Sequence, residues 1–179
     1  MKGIVFTEFI EMVESKFGYE IMDDIIESSD LPSGGSYTAV GTYDHSEMVK
    51  LVIGLSDRTN IPIDQLLKAY GKHLFGIFMA GYPHFFKDID NSFDFFEQID
   101  KYIHVEVKKL YPDAELPKFD TLRIDNNTFE MHYKSDRKMA DLADGLIEAA
   151  IEHFQEPATI EMQNVSEDRS IVKFTIRKL

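Results

Sequence analysis

The chain contains no cysteine, which removes disulfides, thiolate metal ligation and cysteine zinc sites together. Positive charge is also scarce: 19 Lys and Arg against 32 Asp and Glu leave a net charge of −13. That sign is wrong for gripping phosphates or an anionic membrane surface, so neither nucleic acid nor membrane is an expected partner. A basic protein partner is easier to accommodate. Long apolar runs are missing too. The longest uncharged stretch, between Lys72 and Lys87, is too short to span a bilayer and is interrupted by Pro83. Glu8, Glu11 and Glu14 break the apolar start, which therefore cannot serve as a secretory signal. Lys2 stands where myristoylation needs glycine. Without a signal, the Asn-x-Ser/Thr matches at Asn126 and Asn164 carry no weight. No internal repeat, low-complexity segment or linker is visible. A cytoplasmic protein of a reducing compartment is expected, and 179 residues at 44% apolar content suffice for one domain with a sizeable core.

The first half has the period of helices. Ile4, Val5, Phe9, Met12, Val13 and Phe17 recur every three or four residues until Gly18. A short helix is expected over Tyr19 to Ser28, and Leu31 to Ser36 is loop by composition. Ser46 is the expected N-cap of a helix over Glu47 to Thr59. A longer helix follows Pro62, from about Asp64 to Ala80, and Gly81-Tyr82-Pro83 ends it. Phe93, Phe96, Ile103, Val107 and Leu110 trace an apolar stripe along one helix from Ser92 to Leu110. The period then changes. Phe129, Met131 and Tyr133 alternate with polar residues as a half-buried strand, paired with Thr121 to Ile124 through a turn at residues 125–127. Met139 to Phe154 makes an amphipathic helix, and strands near Ala158–Val165 and Ser170–Arg177 close as a hairpin. The expected class is α+β: a helical N-terminal lobe, then a lobe with a four-stranded antiparallel sheet and a packed helix.

Two features carry candidate chemistry. His104 lies at the edge of the apolar stripe, four residues after Asp100, so its imidazole can point inward while neighbouring acids face water. Its plainer reading is a satisfied or surface histidine. Tyr133-Lys134-Ser135-Asp136-Arg137 sets a phenol, a hydroxyl and a guanidinium on alternate residues, three donors suited to holding carboxylates. Its plainer reading is a strand end followed by Ser135 or Asp136 capping a helix that starts near Lys138. Pro117 would by default be a strand-entry proline. Ser33-Gly34-Gly35-Ser36 lacks the Gly-Lys-Ser/Thr of a phosphate loop, and Asp44-His45-Ser46-Glu47 is better read as a helix start than as a metal cluster.

Tyr-x-Ser-x-Arg, the upstream His104, the intervening Pro117 and the opening Met1-Lys2-Gly3-Ile4 together resemble the haem-nitric oxide/oxygen binding (H-NOX) family, over the whole chain. The resemblance implies a single haem-binding domain over residues 1–179, with a distal helical lobe to about residue 60 and the ligating helix and αβ lobe beyond. The cofactor would be haem b. His104 would be its only protein ligand, Tyr133, Ser135 and Arg137 would hold the propionates, and Pro117 would press the macrocycle out of plane. Val5, Phe9, Leu74, Phe78, Leu142 and Leu146 match the family's distal wall. Leu142 stands where oxygen-holding members carry a tyrosine, which points to the type selective for nitric oxide. His73, next to Leu74, is the one polar residue placed to intrude on that wall, as a weak sixth ligand. The family's mechanism weakens the iron–histidine bond on ligand binding and shifts the lobes. The implied output passes to a separate histidine kinase or cyclic-dinucleotide enzyme, so the chain is a sensor of nitric oxide and carbon monoxide and not an enzyme. The cysteine-rich zinc site of some bacterial members does not carry over. Two other classes stay open: an apolar-ligand or lipid-binding module without haem, and a peroxidase-type haem enzyme, against which the distal wall's lack of an acid or base argues.

Overall fold

Apolar side chains at helical spacing build the first core. The computed structural model describes residues 1–179. Helix α1 (Gly3–Phe17) buries Phe6, Phe9, Met12 and Val13, and Gly18, at φ 95, turns the chain into α2 (Tyr19–Ser28). The cap of α3 (His45–Thr59) is Asp44, whose carboxylate accepts the Ser46 N–H at 2.8 Å, and Asn60 closes the helix in the left-handed conformation. Ser46 was the expected cap. The carboxylate two residues earlier takes that role and brings negative charge to the helix N-terminus. Helix α4 (Ile63–Gly81) completes this lobe with Leu66, Leu67, Tyr70 and Leu74 inward. No helix is long and apolar enough to cross a membrane.

The second core lies on an antiparallel sheet of order β1-β2-β4-β3. Strands β1 (Lys118–Arg123), β2 (Thr128–Lys134), β3 (Ala158–Asn164) and β4 (Ile171–Lys178) follow the expected pattern, although β1 begins three residues earlier than the alternation indicates. Phe129, Met131, Phe174 and Ile176 are fully buried beneath α7 (Ala140–His153). The α+β class expected from the sequence is the class observed.

The helix expected from Ser92 to Leu110 is instead three pieces: α5 (Ser92–Gln98), a π turn (Ile99–Ile103) and α6 (His104–Leu110). A π turn inserts one residue into the hydrogen-bond ladder, so the spacing joining Phe96 to Ile103 and Val107 no longer defines one face. Phe93 and Phe96 are 1% exposed, whereas no residue of α6 is buried and Leu110 is 59% exposed.

The two cores meet where α4 crosses α7. A Cβ on Gly71 would lie 2.2 Å from the Leu142 carbonyl oxygen, and one on Gly145 would lie 2.0 Å from the Lys68 carbonyl oxygen. The backbones are therefore nearly in contact, and Leu146 packs against both cores. Gly145→Ala is expected to force the helices apart and destabilise the fold by roughly 1–3 kcal/mol, as overpacking does. Urea unfolding would show this as a lower midpoint; an unchanged midpoint would mean that the crossing tolerates separation.

Candidate cofactor site

His104 opens α6, directly after the π turn, and its side chain is 19% exposed. Its Nδ1 lies 2.6 Å from Asp100 Oδ1. The other oxygen of the same carboxylate, Oδ2, accepts the Phe119 N–H at 2.7 Å. A carboxylate has no proton to give, so in the neutral imidazole Nδ1 carries the proton and Nε2 keeps its lone pair. No protein donor engages that lone pair. Asp100 therefore does not simply face water, as its position beside the stripe indicated. The Phe119 ring lies 6.1 Å from the imidazole and 5.7 Å from the ring of Tyr133, linking the ligand candidate to the donor triad. Pro117 is half-buried immediately before β1, two residues ahead of Phe119.

Tyr133, Ser135 and Arg137 sit where β2 runs out into a turn. The buried Tyr133 hydroxyl accepts the Met139 N–H at 3.1 Å and leaves its own proton unspent. Ser135 Oγ accepts the Arg137 N–H at 3.2 Å, again through an oxygen lone pair. Neither Ser135 nor Asp136 caps the helix that follows. Lys138 adopts φ 57, and α7 starts at Ala140 behind Met139 with no side-chain cap. Arg137 is 15% exposed, yet its ion-pair partner is Glu115, at 3.3 Å and itself 86% exposed. Most of its donors are free for another carboxylate. Beside it lies a polar cleft of about 330 Å³ lined by Met1, Lys2, Tyr43, Asp44, Asp113 and Glu115 among others. Burial, followed by the nearby Arg137 charge, holds the Met1 amine below its ordinary range.

The six expected distal residues are all apolar and all belong to, or pack against, the first core. Phe9 and Leu74 are buried, while Val5, Phe78, Leu142 and Leu146 are half-buried. Tyr70 meets Phe9 edge-on at 5.2 Å and donates its hydroxyl to the Val5 carbonyl. Burial first, then Glu8, pushes that phenol well up. The proton is committed within the protein. His73 directs Nε2 to Glu8 Oε2, 3.5 Å away. No three His, Asp or Glu side chains converge on a point where they could hold a bare metal ion.

A family model described as haem-NO-binding matches residues 2–162. The chain belongs to this H-NOX family of haem-binding gas sensors. It is similar in structure to the Fe(II) unliganded H-NOX protein from K. algicida, at 44% identity and TM-score 0.96, covering 100% of this chain and 97% of that one. The IWP-051-bound H-NOX from Shewanella woodyi, in the Fe(II)CO state, is 42% identical with TM-score 0.85, covering 100% and 95%. The H-NOX protein from S. oneidensis in the Fe(II)NO state is 26% identical with TM-score 0.86, covering 100% and 99%.

The donor set fits a haem. One imidazole nitrogen is free to ligate, and a phenol, a hydroxyl and an under-used guanidinium are free for two carboxylates. Tyr133→Phe removes the acceptor of a buried N–H and is expected to destabilise the haem-free H-NOX protein by about 1–3 kcal/mol. Equal urea midpoints for the two proteins would show that Met139 N–H finds another partner.

Proposed function

We propose that this H-NOX protein is a nitric oxide sensor built on haem b, with His104 as the only protein ligand to iron. The observation that carries the reading is the pair of states of His104: Nδ1 is engaged by Asp100, and Nε2 has a lone pair with no protein partner. Ferrous haem, when bound, would supply an iron centre able to take a diatomic gas, with His104 as its protein ligand. Tyr133, Ser135 and Arg137 would hold the propionates, and Pro117, immediately before β1, would press on the macrocycle. The relatives from S. woodyi and S. oneidensis, solved with carbon monoxide and nitric oxide respectively, support both gases as ligands.

Selectivity follows from the distal residues. Bound dioxygen carries partial negative charge and gains from a donor; nitric oxide and carbon monoxide depend on one far less. Leu142 offers none, and the Tyr70 hydroxyl is already donated to Val5. A missing hydrogen bond to a charged group is worth roughly 1.5–3 kcal/mol, or about 10- to 150-fold in affinity. The chain is one sensing domain over residues 1–179, with a distal helical lobe to about residue 60 and the ligating helix and αβ lobe beyond, whose Leu74, Phe78, Leu142 and Leu146 complete the distal wall. Helix α6 is the element suited to respond, because none of its residues is buried and it can shift without uncovering a core. Such a shift biases a two-state equilibrium only as far as the gas binds the two states differently. Its readout is a separate cytoplasmic histidine kinase or cyclic-dinucleotide enzyme.

Absorption spectra of the reduced protein, alone and with nitric oxide, carbon monoxide and air, test the reading. Nitric oxide and carbon monoxide are expected to shift the Soret band, with no stable oxy complex in air; a stable oxy spectrum overturns the selectivity. His104→Gly should lose the proximal bond and regain it with free imidazole, and an unchanged haem spectrum rejects the ligand assignment. Leu142→Tyr is expected to raise oxygen affinity by about 10- to 150-fold. No gain in an oxygen titration would place that side chain away from the bound gas.

A further inference from the structure

Asp100 enters the functional reading only as the partner of His104 Nδ1, and its second contact, to the Phe119 N–H, has no part in it. It lies inside the π turn, one turn before His104, and its two oxygens receive two different donors: His104 Nδ1 at 2.6 Å and the Phe119 N–H at 2.7 Å. The side chain is 27% exposed, so these short contacts are made partly out of water. The Phe119 N–H is a backbone donor and cannot change its role. It fixes one carboxylate oxygen and leaves the other aimed at the imidazole. Two convergent donors require two acceptors on one short side chain, which a carboxylate supplies and an amide does not.

We propose that Asp100 is the positioning residue of the haem site: it sets the tautomer and ring orientation of His104 and strengthens Nε2 as a donor to iron. This rests on the reading of His104 as the iron ligand. A carboxylate on the far nitrogen of a ligating imidazole fixes the tautomer, restrains ring rotation and raises the basicity of the ligating nitrogen. The second bond adds something specific to this fold. Asp100 ties the ligand helix to β1 two residues past Pro117, so the imidazole and the strand bearing that proline are held by one side chain.

Substitution by asparagine separates positioning from bulk. In D100N the amide oxygen takes the Phe119 N–H, and the amide N–H₂ then faces Nδ1. That favours the tautomer with the proton on Nε2, the one unfit to bind iron. Holoprotein D100N is expected to lose haem to an acceptor globin about 10- to 100-fold faster than wild type. Its iron–imidazole stretching band should fall in frequency and its midpoint potential should rise, because the donor to ferric iron is weaker. D100E, which keeps the carboxylate, should move both back toward wild type. An unchanged stretching band and potential in D100N, with haem bound through His104, overturns the inference and leaves the sensor reading intact. A wild-type protein that takes up no hemin ends both. A measurement on the haem-free wild-type chain does not depend on how the variants fold. Nitrogen-15 NMR of neutral His104 is expected to show a protonated Nδ1 and a bare Nε2, and the opposite tautomer overturns the proposal.

Discussion

The near-contact of α4 and α7 is the constraint on which the rest of the molecule depends. Glycine at 71 and 145 lets two backbones approach until any Cβ would overlap a carbonyl oxygen. Helix α7 thereby serves two cores, covering the sheet with one face and meeting the helical lobe with the other. That sharing places Leu74 and Phe78 of α4 on the same side as Leu142 and Leu146 of α7. Close packing of this kind tolerates little continuous deformation, so relative movement of the lobes is concentrated at few points. An apolar wall assembled from two helices and α1 is a consequence of the crossing.

On the opposite side the structure is looser by design of its residues. The π turn takes α6 out of the apolar stripe, and the helix bearing His104 is held to the body through Asp100 and partial packing of Ile103 and Phe119, with no buried anchor of its own. Under the proposed reading, the closely packed first core would form the distal half and the helix bearing His104, none of whose residues is buried, the responsive proximal element. Lone pairs and protons without protein partners on Tyr133, Ser135, Arg137 and His104 are the donor chemistry that haem binding in this family calls for.

Legibility in the sequence followed locality. The β2 alternation of Phe129, Met131 and Tyr133 is readable because one buried face imposes a period of two. The inward face of α1 is readable for the matching reason at 3.6. Tyr133, Ser135 and Arg137 lie within five consecutive residues, so their association needs no tertiary information. The cap of α3 was displaced because Asp44 and Ser46 both have capping chemistry, and only backbone conformation decides between them. Nothing in Gln98 to Ile103 marks a π turn. The Asp100–His104 spacing was visible, but four residues apart on a helix is also how solvent-facing pairs are spaced. What separates the two meanings is the Phe119 N–H, which is distant in sequence and arrives only with β1. The commitment of the Tyr70 hydroxyl to Val5 is hidden for the same reason: its partner is a backbone carbonyl on another helix.

The central claim is that one protohaem seats between these two cores and is bound by side chains of this chain alone. A pyridine haemochrome assay on protein reconstituted with hemin and freed of excess measures this directly, giving both the porphyrin type and its ratio to polypeptide. The account requires a haem b spectrum at one haem per chain. Protein that emerges without haem, or with haem in no fixed ratio, would contradict it.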